Sequence, residues 1–155
     1  MAYIYPAPGN ASAEVTLNIK VSGDTVGLDV PALQDVTVNA ANDVFTWTQL
    51  DQASKLQIAT TATNSLSMNL VLDQDVFFGA TAAGEAAQTA GIFGLSTDKT
   101  KINFELYLGD TDTGATGKTL SGSGYVTGLA PTVSADSPVW ISPITITVDS
   151  DYTVS

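Results

Sequence analysis

The chain has no histidine, no cysteine and no arginine, and its only basic side chains are five lysines. Each absence removes a class of chemistry. Without His there is no Ser-His-Asp triad and no imidazole to ligate a metal. Without Cys there is no disulfide framework and no thiolate site, and the redox compartment stays open. Five Lys against sixteen Asp and Glu give a formal net charge of −11. That field repels phosphate backbones, which proteins hold mainly through Lys and Arg, and it disfavours anionic membranes. Long apolar runs are missing too: none reaches the ~18 residues of a spanning helix, and residues 1–10 lack the basic and apolar regions of a secretion signal. The expectation is a single domain over residues 1–155, made in the cytoplasm, with an extended arm at 1–13 marked by Pro6, Pro8 and Gly9.

What is present is alternation. Val15, Leu17, Ile19 and Val21 share one face, against Thr16, Asn18 and Lys20. Leu66, Met68, Leu70 and Leu72 repeat the pattern, as do Ile102, Phe104, Leu106 and Leu108 and, in a last strand over 139–148, Ile144, Ile146 and Val148. Period two of this kind predicts half-buried strands. Further strands are expected at 28–30, 36–39, 44–48 and 122–128. Ser22-Gly23-Asp24, Asn42-Asp43 and Asp73-Gln74-Asp75 read as turns, and Pro143 as an edge or bulge position. Residues 49–59 are ambiguous, with room for one helical turn. Alanine-rich 80–90, between Gly79 and Gly91, is the one good helix candidate. The fold class expected is mainly β, a sandwich or barrel of about seven to nine strands with one short flanking helix.

Motifs that tempt a chemical reading fail on spacing. Residues 110–119 end in Gly-Lys-Thr, but a phosphate-binding loop needs Gly at 112, where Asp112 stands, and a following helix. Asp110 and Asp112 open like a calcium loop, but Ser121 occupies the place of its closing Glu. A hairpin tip is the stronger reading. Asp73 and Asp75 lack any sign of the unequal environments that acid/base pairs require. Asn10-Ala11-Ser12 fits a glycosylation acceptor only by chance in a chain with no secretion signal. No catalytic residue, cofactor or metal is expected, and the chain is read as a non-enzyme. Phe45, Trp47, Tyr125 and Trp140 are aromatics on alternating strands, read as core or subunit interface.

Taken in order, four stretches carry a resemblance. They are Val44–Leu50; Thr63–Asp73; Ile102–Leu108; and Gly122–Leu129, followed by a polar connection and the long strand Val139–Val148. In sequence the chain resembles the major tail tube proteins of long-tailed bacteriophages. The resemblance implies a virion tail component assembled in the host cytoplasm. Six copies would form a ring, and rings would stack into a tube through which DNA passes without specific binding. Sheath, tape measure or terminator proteins would be partners, with no role for a membrane. It makes Phe45, Trp47, Tyr125 and Trp140 candidate assembly contacts, and Asp73, Asp75, Asp110 and Asp112 candidates for an acidic surface or lumen. Two other binding or structural readings stand beside it: a capsid decoration protein, and a carbohydrate-binding sandwich using Trp47, Trp140 and Tyr125. A carboxylate hydrolase ranks last.

Overall fold

A computed structural model describes residues 4–5, 15–30, 33–50, 54–81, 84–111 and 117–155. Most of the 1–13 arm, the Asn10-Ala11-Ser12 triplet and Asp112 lie outside them. In chain order the elements are β1 (Ile4–Tyr5), β2 (Thr16–Lys20), β3 (Leu28–Val30), β4 (Leu33–Trp47), β5 (Leu56–Val71), α1 (Gln74–Phe78) and α2 (Ala86–Thr97). There follow β6 (Ile102–Tyr107), β7 (Asp110–Thr111), β8 (Thr119–Leu129), β9 (Thr132–Ser134), β10 (Ser137–Val148) and β11 (Thr153–Val154). The fold is mainly β with short helices, as the alternation predicts. Seven strands form one antiparallel path, β3-β2-β6-β8-β10-β5-β4, with β11 on β8 and β9 on β10; β1 and β7 pair separately. The path is open, ending at β3 on one side and β4 on the other.

Alternation sets the core. Leu17 and Ile19 of β2, Ile102, Phe104 and Leu106 of β6, and Leu66, Met68 and Leu70 of β5 turn inward. Val126 of β8 and Ile144, Ile146 and Val148 of β10 join them, and Phe77, Ala87, Ile92 and Leu95 close the same cluster from the helices. Each fully buried Leu, Ile or Phe contributes about 1.5–3 kcal/mol relative to exposure.

Three expectations are corrected. The strands expected at 36–39 and 44–48 are one 15-residue strand. Asn42-Asp43 does not end it: Asn42 pairs with Ala62 and Val44 with Ala59, so two residues of β5 face Asp43 across a bulge. The second correction is at 49–59, where β5 already begins at Leu56. The third is the helix. It starts at Ala86, not at 80, and a separate turn, α1, precedes it. The reason is where helix N–H groups find acceptors. Asp73 Oδ1 accepts from the N–H of Asp75 at 3.0 Å and of Val76 at 3.2 Å, which starts α1. Asp24, from the β2–β3 turn, accepts from the N–H of Ala86 at 2.9 Å and of Ala87 at 3.0 Å, which starts α2. Gly91, with φ +67°, breaks α2 where its backbone meets that of Gly79 and Phe77, a contact a side chain would block.

Pro143 stands in a gap of the ladder. β10 pairs with β9 through Ile141 and with β8 from Ile144 onward. The missing N–H therefore costs no ladder bond on that side. Buried Ser142 bridges the gap, accepting from the N–H of Ala130 at 3.3 Å and donating to the Pro143 carbonyl at 2.9 Å.

Candidate assembly surfaces

The β4–β5 hairpin is longer than the core it stems from. Beyond Asn39 and Asn64 its described residues are largely exposed. Phe45 pairs with Ile58 and Trp47 with Leu56. Directly opposed residues share a face, so these four side chains make one apolar patch. The Phe45 and Trp47 rings stack at 5.8 Å, and Phe45 is 58% and Ile58 55% exposed. The hairpin is anchored at its base. Asn64 Nδ2 donates to the Ser150 carbonyl at 2.9 Å, and the Tyr152 hydroxyl meets the carbonyls of Asn39 and Ser65 at 2.9 Å each. Burial holds the Tyr152 hydroxyl above the usual tyrosine range, with the Ser65 bond opposing. Its ring lies edge-on to Phe104.

Further exposed apolar side chains lie at the opposite end of the sheet. Val133, Val139 and Trp140 are exposed on the β9–β10 hairpin, Trp140 by 52%. The register fixes the separation: Ile141 pairs with Val71 at the end of β5, whereas Trp47 pairs with Leu56 at its start. At about 3.3 Å per residue the two groups are roughly 50 Å apart along the strands. A second patch is on the helices, where exposed Phe78 and Phe93 lie 5.8 Å apart over buried Phe77.

The residues singled out from sequence are thus dispersed. Phe45 and Trp47 come together; Trp140 is at the far end; Tyr125 is on the outward side of β8, paired with Thr147. Trp47, Trp140 and Tyr125 form no common stacking face. Asp73 is a helix cap, and Asp75 is exposed in the first turn of α1. Asp110 is placed through its backbone in β7. Sequence reasoning missed Asp24, Asn64 and Tyr152, whose partners are distant in the chain. Burial works to raise the Asp24 pKa, but N–H groups of Val21, Ala87 and Ala86 outweigh it and hold the carboxyl below its usual value.

The rest of the described surface is mostly polar. Lys101 pairs with Asp149, which also accepts from Ser123 Oγ at 2.8 Å. The hydrogen bond between them raises the Lys101 pKa and lowers that of Asp149. A shallow polar groove of about 360 Å³ runs past Asn18, Lys20, Asn103, Glu105, Ser121 and Asp151. Among the described residues, no three acidic side chains converge as metal ligands, and no helix is long and apolar enough to cross a membrane.

The sequence matches no family pattern and no curated protein. The architecture does find counterparts among solved structures. A chain from the tail of an empty gene transfer agent particle, of C6 symmetry, superposes with a TM-score of 0.65 over 96% of this chain and 99% of its own, at 10% identity. The SPP1 tail tube gives 0.63 over 94% and 78%, at 11% identity. The fold is that of the tail tubes. The six-fold symmetrised baseplate of the anti-feeding prophage gives 0.64 over 96% and 97%, at 12% identity. With so few identical residues, a tail-tube fold is held here by the alternation and the turns, not by shared side chains.

Proposed function

We propose that the chain is a structural, non-enzymatic subunit of a tail tube. Six copies close a ring, rings stack head to tail, and DNA passes through the lumen without specific binding. It works in the virion tail, after assembly in the host cytoplasm, beside further tail components such as sheath, tape measure or terminator proteins. Residues 1–155 act as one domain, with 1–13 as an arm.

The observation that carries this reading is the pair of exposed apolar hairpins at opposite ends of one sheet. The Phe45, Trp47, Leu56 and Ile58 patch of one copy meets Val133, Val139 and Trp140 of the next. Such a contact is heterologous, and repeated it builds a filament. Full burial of each large side chain is worth about 1.5–3 kcal/mol, and six copies add these gains at every ring junction. That offsets the repulsion between strongly acidic subunits, which have too few lysines to join by ion pairs. Sideways, β4 and β3 are the end strands of the path among the described residues. Joining them to neighbouring copies removes the hazard that unpaired edges pose. The fold and the six-fold symmetry of its structural neighbours support the ring.

Electron microscopy of the purified protein tests the reading. Tubes with six-fold end views are expected. A protein that stays monomeric at every concentration and salt level overturns it, discrete trimers on capsids favour decoration, and glycan-binding monomers favour the sandwich.

A further inference from the structure

Residues 149–155 are fastened to one half of the sheet and reach into the other. β10 leaves its ladder at Val148, opposite Gly124 of β8, and β11 resumes it at Thr153, opposite Ser121. Four residues, Asp149 to Tyr152, therefore lie across two of β8, Gly122 and Ser123, and the surplus bows out of the ladder. Both ends of the bow are tied down. Asp149 donates its N–H to the Ser123 carbonyl at 2.9 Å, accepts from Ser123 Oγ at 2.8 Å and pairs with Lys101. Ser155 and Thr119 exchange backbone bonds of 2.9 and 3.0 Å.

What the bow reaches is the base of the β4–β5 hairpin. Pairing of β5 with β10 stops at Asn64, opposite Val148. From there to Leu56 its described partner is β4 alone. A two-stranded ribbon of this kind is marginal by itself and can swing about its base. The bow grips that base. Asn64 Nδ2 donates to the Ser150 carbonyl, and the one Tyr152 hydroxyl meets the carbonyls of Asn39 and Ser65, which stand opposite each other in the two strands. The Tyr152 ring lies edge-on to Phe104 of β6, in the core. The direction of the ribbon is thus set against β6 and β8, two strands that are not its neighbours in the sheet. On the other side of the bow, Ser150, Asp151 and Thr153 line the shallow groove, which leaves room for it to lift.

We infer that residues 149–155 are a strap that aims the β4–β5 ribbon and thereby controls assembly. Closed, the strap holds the ribbon in one direction, so that Phe45, Trp47, Leu56 and Ile58 are presented before another copy arrives. With the strap lifted, the ribbon swings, and only the fraction of subunits with a closed strap adds to a growing end. The apparent affinity for addition falls by that fraction. A closed strap also removes the cost of ordering the ribbon at the moment of contact. The aiming of the ribbon stands on this chain alone; the control of assembly rests on the tail-tube reading.

A chain without cysteine allows two spin labels to be placed at chosen sites. Thr46→Cys on the exposed ribbon and Thr16→Cys on β2 carry them, and pulsed electron resonance on the dilute, unassembled subunit gives their distance distribution. Thr16→Cys with Thr145→Cys on β10 is the reference pair. The ribbon pair is expected to give a narrow distribution with the strap intact, a broader one with Tyr152→Phe, and the broadest with Tyr152→Phe and Asn64→Ser together. The reference pair is expected to stay narrow throughout. Tyr152→Phe keeps the ring against Phe104, so it decides the matter even where the double variant does not fold. A ribbon pair that stays narrow in Tyr152→Phe overturns the strap, and so does equal broadening of both pairs, which marks a loosened fold. Assembly is read on unlabelled protein by sedimentation. Tyr152→Phe is expected to raise the concentration needed for tubes about fivefold, the factor that one lost hydrogen bond supplies. An unchanged threshold beside a broadened ribbon overturns the control of assembly and leaves the aiming. Failure of the wild-type protein to form tubes overturns the tail-tube reading and the control of assembly together, while the distances still decide the aiming.

Discussion

Asp24 and Glu85 each accept backbone hydrogen bonds from the other's segment. Asp24 takes the N–H groups of Ala86 and Ala87 at the start of α2, and Glu85 Oε2 accepts from the N–H of Thr25 in the β2–β3 turn at 2.9 Å. The helix residue before α2 makes no cap of its own. The turn and the helix therefore each need the other to be satisfied.

Asp24→Ala is expected to destabilise the fold by about 1–2 kcal/mol, the usual cost of a lost cap. The native pKa of Asp24 is lowered, so the stabilisation is present above the ordinary carboxylate value and is lost as pH falls through the lower native one. Urea titrations at neutral pH and below pH 4 check both points. The difference between wild type and Asp24→Asn should shrink in acid; a constant difference argues against the carboxylate.

Gly91→Ala is expected to cost on the order of 3 kcal/mol, from a left-handed backbone and a Cβ driven into the Gly79 and Phe77 backbone. Gly84 has open space around it. Gly84→Ala should change the thermal midpoint little, and a comparison of the two midpoints separates a packing effect from helix propensity.

Tyr152→Phe removes a hydroxyl bound to two carbonyls at the hairpin base. A loss of about 1 kcal/mol is expected, together with faster amide exchange in β4 and β5. Because burial raises the Tyr152 pKa, its contribution is present below about pH 10 and is lost as pH rises through the raised value. The variant should lack that alkaline limb in a stability–pH profile.

Phe45→Ser combined with Ile58→Ser alters an exposed patch. Unfolding free energy should stay within about 0.5 kcal/mol of wild type, while tube formation by electron microscopy should fail. Large destabilisation of the monomer would mean that the patch serves the fold. In the wild type, added salt should lower the concentration needed for assembly, because it screens acidic neighbours. Sedimentation across a salt series measures this.

The sequence was most legible where one face is buried and the other wet. β2, β6 and the central part of β10 have clean period-two patterns, and their inward residues are the core. Legibility failed where no burial contrast exists. The tip of β4–β5 is exposed on both faces, so residues 56–59 carry no periodic signal, and the bulge at Asp43 arises from extra residues on the partner strand. The start of α2 was unreadable locally because its cap comes from Asp24. Among the candidate contacts, Phe45 and Trp47 could be grouped from their spacing. Their separation from Trp140 follows only from the register of β10 on β5.

The anchoring of the long hairpin bears on how the molecule takes force. β5 is paired along its inner half to β10 and along its length to β4. A pull on the tip along the strand direction loads those hydrogen bonds together, in shear, whereas a pull across the strands would open them one after another. Asn64 and Tyr152 add three more bonds at the point where the load enters the core. If subunits are linked through their tips as proposed, a column of them would be stiff to stretching along its axis and would yield more readily to forces that peel one strand from the next.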